Sequence, residues 1–280
     1  MSRSIRVILC FAAFSSPTLA GAGAITFSVG GNNSSASIQA TVDSFRAALG
    51  GPNNGSAPGP IAGGRREINW DGGGGVNATT APVTPFDVFL NTRGARFTTP
   101  GTGLSQATPD GLATLFNNPT YGTTFGTFSP LRLFVPVGSN ITDGLFYLPG
   151  TNGGVPGTVS GFGAVFTDVD LAGTARIDYF DADGNLLYGA SVQPGTVADG
   201  SLSFLGVVFN AGERIARVRI TTGNTPLGPN ANDGGTIDVV AMDDFLFSEP
   251  AAAAVPEPTT LALLGLALAG VAFSRRRKLH

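Results

Sequence analysis

The stretch Ala175-Arg-Ile-Asp-Tyr-Phe-Asp-Ala-Asp-Gly-Asn-Leu-Leu-Tyr-Gly-Ala-Ser-Val192 decides the fold. Runs rich in Ile, Tyr, Phe and Leu lie on either side of Asp183-Gly184. An Asp-Gly pair suits the positive-φ turn whose twist matches that of the strands it joins, so the segment reads as a β-hairpin. Working outward, similar runs occur at Leu131 to Val135, Gly144 to Leu148, Thr158 to Thr167, Leu202 to Phe209, Ile215 to Thr221 and Ile237 to Phe247. Gly, Asn, Asp or Pro separates each from the next, as expected of short strands joined by turns. With Ala175 to Phe180 and Leu186 to Val192 they make eight, which predicts an all-β protein, a β-sandwich of the jelly-roll kind.

Composition agrees. Of 280 residues 41 are Gly and 19 Pro, too many breakers for a helix bundle. At 42% hydrophobic and 12% charged, the chain is too apolar for disorder. One helix is predicted, at Ser37 to Leu49, where Ile38, Val42, Phe45 and Leu49 fall at helical spacing before Gly50-Gly51. Gly-rich loops follow at 50–64 and 72–75. Residues 25–250 hold ten Arg and eighteen Asp or Glu but no Lys, and the single Cys (Cys10) and single His (His280) lie outside them. This body therefore cannot build a Ser-His-Asp triad, a thiol nucleophile, a disulfide or a zinc site of the usual ligands. Its acidity also argues against a nucleic-acid partner.

The ends read as addresses. Residues 1–24 pair a basic start (Arg3, Arg6) with a short apolar run and small residues at Ala20, Ala22 and Ala24, the pattern of a secretory signal peptide. Residues 251–280 contain Val255-Pro256-Glu257-Pro258, an apolar stretch to Phe273, and the basic cluster Arg275, Arg276, Arg277 and Lys278. The 17 uncharged residues from Pro258 to Ser274 are just long enough for a membrane helix, and the cluster would hold the far end in the cytoplasm. This tripartite tail resembles the PEP-CTERM sorting signal of Gram-negative bacteria. The resemblance implies export, recognition and cutting by an exosortase, transient anchoring through the C-terminal transmembrane sorting helix, and delivery to the surface or outside of cells that make exopolysaccharide and biofilm.

Three places in the body carry candidate chemistry. Asp181-Ala-Asp183-Gly-Asn185 opens like a calcium loop but has Leu186 and Val192 where an EF-hand needs Gly and Glu, so it reads as a hairpin tip. In the last strand, period-two alternation puts Asp243 on one face with Ile237, Val239, Ala241, Phe245 and Phe247. A carboxylate there must be hydrogen-bonded, paired or metal-bound, and Asp168 and Asp170 could add oxygens to a structural Ca2+ site. Alternatively Asp243 bonds to backbone or Arg, or is displaced by a bulge. Third, Arg66, Asn69, Trp70 and Asp71 set the only Trp among polar side chains beside Gly-rich loops, a combination suited to sugar stacking. The competing expectation is a core strand with Trp70 buried and Arg65 or Arg66 paired to Glu67. The resulting functional expectation is a non-catalytic exported protein, structural or weakly binding exopolysaccharide. The alternative is a glycan-cleaving enzyme drawing two carboxylates from Glu67, Asp71, Asp168, Asp170 and Glu213.

Overall fold

The computed structural model describes residues 23–72 and 78–253. Seven strands form the larger sheet: β1 (Ala24–Gly30), β2 (Arg65–Ile68), β4 (Gly103–Ala107), β5 (Leu133–Val137), β8 (Gly161–Thr167), β11 (Leu202–Phe209) and β13 (Ala241–Ser248). Five form the second: β3 (Ala95–Thr98), β6 (Ile141–Phe146), β9 (Arg176–Phe180), β10 (Leu186–Ser191) and β12 (Arg217–Thr221). The strands β7 (Gly157–Thr158) and β14 (Ala251–Ala252) make a separate pair. The larger sheet runs β1-β11-β8-β13-β5-β4 with β2 also on β13, and the smaller runs β10-β9-β12-β6-β3. All these ladders are antiparallel. The all-β reading holds; nothing in this order singles out a jelly-roll path among sandwiches.

The two sheets share one core. Phe162, Ala164, Phe166, Leu205, Val207, Phe245 and Phe247 from the larger sheet meet Phe97, Phe146, Ile177, Tyr179, Val218 and Ile220 from the smaller. The expected hairpin forms: β9 and β10 pair with Leu186 opposite Phe180. Its turn is closed by the Asp181 carboxylate, which accepts from the N–H groups of Asp183 (2.9 Å) and Asn185 (2.8 Å), while Gly184 supplies the positive φ of 83°. That explains the Asp-rich tip without a metal ion.

The predicted helix is α1 (Ala36–Leu49), which buries Ile38, Val42, Phe45 and Leu49. They pack with Val165, Leu202, Phe204, Val208 and Leu246 on the outer face of the larger sheet. The Phe45 ring fits because Gly163 and Gly206, directly opposite each other in β8 and β11, have no side chains. A Cβ on Gly206 would lie 2.7 to 2.9 Å from three atoms of that ring.

The expectation of a single helix needs correction. Two one-turn helices, α2 (Leu90–Arg93) and α4 (Tyr121–Thr124), and the longer α3 (Pro109–Phe116) also form. In α3, Thr108 caps the N-terminus by accepting from Gly111 N–H, Pro109 starts the first turn, and Leu112 and Phe116 are buried. These join Tyr121, Phe125, Leu133, Val135, Val239 and Ala241 in a satellite core.

The strict alternation expected along the last strand also fails. Met242 pairs with Phe166 and Phe245 with Ala164, so Asp243 and Asp244 together oppose one residue of β8, a β-bulge. Val239 and Ala241 face the satellite core, whereas Phe245 and Phe247 face the inter-sheet core. The segments expected to form the signal peptide (1–24, save Gly23 and Ala24) and the sorting helix lie outside the described residues, among which no helix is long and apolar enough to cross a membrane.

Candidate functional site

Trp70 is fully buried. Its ring stacks on Phe134 with centroids 3.8 Å apart and meets the edges of Phe86, Phe89, Phe97 and Phe245, and its indole N–H donates to Asp243 O at 2.8 Å. Both faces of the ring are inside the protein, so the sugar-stacking expectation is corrected: Trp70 is the centre of an aromatic core. Its neighbours are structural as well. Arg66 is fully buried and forks onto Glu249 with bonds of 2.6 and 2.7 Å, rather than onto Glu67. The Arg66 fork also donates to the carbonyls of Gly55, Ala57 and Thr92. Glu67 takes Arg65 (2.6 Å) and Arg46 (2.9 Å). Asp71 accepts from Leu131 N–H (2.9 Å) and Arg132 N–H (3.3 Å), and Asn69 donates to it at 3.0 Å. Glu249 lies 183 residues from Arg66, which is why local sequence did not reveal the pair.

Asp243 is buried as expected, but its oxygens are engaged. One accepts from Phe128 N–H (2.6 Å) and Ser129 N–H (3.3 Å), while Ser129 Oγ–H donates to Asp244 at 2.5 Å. Burial, and then the adjacent Asp244, pushes the Asp243 carboxyl well above the ordinary range. The structure does not bring Asp243 together with Asp168 and Asp170, so the three-residue calcium grouping is corrected. The bulge turns this aspartate toward residues 128–129, and a bulge is invisible to a period-two reading.

Asp168 and Asp170 belong to a different cluster. The register puts Thr167 opposite both Leu202 and Ala241, so the segment leaving β8 meets those entering β11 and β13. There Asp168, Asp170, Asp199, Asp233 and Asp238 gather. Asp168 is fully buried at φ 69°, its N–H bonded to Ser201 O at 2.9 Å. Neither of its carboxylate oxygens has a hydrogen-bond partner, since the nearby Gly200 N–H is spent on Thr124 O (2.8 Å). Burial, and then Asp233, Asp170 and Asp199, pushes the Asp168 carboxyl up to about 9. Asp170 rises to about 6 through burial and then Asp233, and burial raises Asp233 too. Asp238 is better satisfied, accepting from Asp170 N–H (3.1 Å) and from Thr174 Oγ–H. Sequence reasoning missed Asp233 and Asp238; the turn signal Asn232-Asp233-Gly234-Gly235 was the available clue.

The remaining carboxylate of the enzyme alternative, Glu213, accepts from Gly23 N–H at 3.1 Å. Glu67, Asp71 and Glu213 thus each answer to separate partners, while the Asp168 carboxylate has none. The described fold ends at Ala253, and directly after it residues 254–278 match the family model of the PEP-CTERM protein-sorting motif. The chain carries a PEP-CTERM sorting signal. Val255, Pro256, Glu257 and Pro258 and the basic Arg275 to Lys278 fall within the match, outside the described residues. The signal supports an exosortase-targeted, exported protein placed at the cell surface or beyond it. No curated protein matches the chain.

Proposed function

We propose that the chain is an exosortase-processed surface or extracellular-matrix protein whose β-rich body is structural and non-catalytic. The PEP-CTERM match at residues 254–278 carries the reading. It is supported by the deployment of the body's conspicuous polar groups: Arg66, Glu67, Asp71 and Asp243 hold strands and loops together. Weak exopolysaccharide binding through Trp70 is not retained, because the ring has no open face. Mass spectrometry of the surface-released protein from its native host tests the processing. The expected product ends near Pro258, and a mature form that retains Arg275 to Lys278 would reject it. Incubation with the host's exopolysaccharide tests the rest: sustained release of reducing ends would favour the carboxylate enzyme.

A further inference from the structure

We infer that Asp168, Asp170 and Asp233 form a divalent-cation site of calcium type, with the exposed Asp199 able to complete it. The argument starts from charge. Five aspartates meet at one end of the larger sheet, and among the described residues none of them forms an ion pair with Arg. Acidity alone would not define a site, since exposed carboxylates are satisfied by water. Asp168 supplies the second observation: it is fully buried, both its oxygens lack any donor, and its nearest charged neighbours are the other carboxylates. A buried carboxylate in that position must take up a proton or share a cation. Arginine performs that service at Glu67, Asp143 and Glu249, whereas here no basic side chain has been supplied.

The class of ion follows from the donors. All are oxygens, which selects a hard cation. They come from three different loops, and Ca2+ accepts six to eight oxygens in irregular geometry, whereas Mg2+ requires a near-ideal octahedron. Among the described residues no three acidic side chains converge at ligating distance as they stand, so the half-buried Asp170 and Asp233 and the exposed Asp199 would close onto the ion while Asp168 stays fixed. Asp238 has a positioning role, because its oxygens already hold the Asp170 N–H and the Thr174 hydroxyl. Such closure on binding suits the modest affinity of extracellular calcium modules, about 10⁻⁴ to 10⁻³ M.

The test uses the full-length chain in detergent, so that its outcome is independent of sorting and cleavage. After EGTA treatment at neutral pH, CaCl2 or MgCl2 is titrated while melting and binding heat are followed. One calcium equivalent is expected to bind, raising Tm by about 5 to 10 °C at a hundredfold excess over Kd, with a smaller response to magnesium. Asp168→Asn removes the ionisable group, and with it the cost of keeping it protonated in the calcium-free fold, without changing side-chain shape. It should raise the calcium-free Tm and abolish the calcium response, a pair of signs that simple structural damage would not give. Asp233→Asn, at a half-exposed position, should weaken calcium binding at least about tenfold while the protein stays folded. No heat and no Tm change in wild type at about 10 mM calcium, or an unchanged calcium shift in Asp168→Asn, would overturn the site and leave protonation as the way Asp168 is accommodated.

Discussion

Phe45 and Gly206 offer a quantitative test of how α1 is seated. Phe45→Ala removes a fully buried ring packed against Phe27 and Phe204 at centroid distances of 5.5 and 5.3 Å, and should destabilise by about 3 to 5 kcal/mol. Gly206→Ala has the opposite fault: its new methyl group would sit 2.7 to 2.9 Å from the ring, an overpacking that should cost about 1 to 3 kcal/mol. In the double variant the ring is gone and the methyl enters the space it left. The overpacking cost should vanish, so that the double variant is about as stable as Phe45→Ala alone. The expected coupling is therefore about 1 to 3 kcal/mol, well above the few tenths seen between independent sites. Urea unfolding followed by the fluorescence of Trp70, the only Trp and a residue of the inter-sheet core, reads the whole cycle. Additive costs, or a Gly206→Ala variant as stable as wild type, would show that the glycine pair does not create the seat.

Three further outcomes are expected. Glu249→Gln leaves the Arg66 guanidinium buried without its carboxylate and should lower stability by about 3 to 5 kcal/mol in the same unfolding assay. In EDTA, Tm should fall as pH rises from about 4 toward 9, because the folded state keeps protons on Asp168 (about 9) and Asp170 (about 6) that the unfolded chain releases near 4. The raised carboxyls of Asp233, Asp243 and Asp244 act in the same direction and the lowered Asp181 in the other; a Tm that increases steadily over that range would contradict the placement of these groups. N-terminal sequencing of the exported protein should find Gly23 retained, with cleavage after Ala20 or Ala22, because Gly23 N–H bonds Glu213 and Ala24 already pairs with Phe209 in β1.

What could be read from the sequence was what local order encodes. The β9–β10 hairpin followed from Asp183-Gly184, and α1 from the spacing of Ile38, Val42, Phe45 and Leu49, because turn geometry and helical period act between near neighbours. The strand β11 stood out because Leu202 to Phe209 is apolar on both faces, one covered by α1 and the other by the second sheet. The strand β2 was legible as a core strand with Trp70 buried and an arginine on Glu67, and Arg65 does hold Glu67; what local order could not show is that the distant Glu249 takes Arg66 into the core. Thr108-Pro109 and the pair Leu112 and Phe116 did signal α3 locally, but the segment is two turns long and sits among turn residues. The bulge at Asp243-Asp244 shifts every later side chain to the opposite face, and no periodicity announces an inserted residue. For the acidic cluster, Asp168 and Asp170 were visible beside a strand end, while their company with Asp233 depends on which strands are neighbours.

The way the body meets its tail has a mechanical consequence. The β14 strand is tied to β7, Glu249 is clamped by Arg66, and β13 lies inside the larger sheet with β8 on one side and β2 and β5 on the other. Only residues 253–255 separate the end of β14 from Pro256, a reach of about 10 Å when extended. A pull applied at the tail would enter through a strand flanked on both sides. After the short β14 pair gives way, the load falls on the Arg66 clamp and then on many ladder hydrogen bonds in parallel. An edge strand would peel one bond at a time; this attachment point resists in shear.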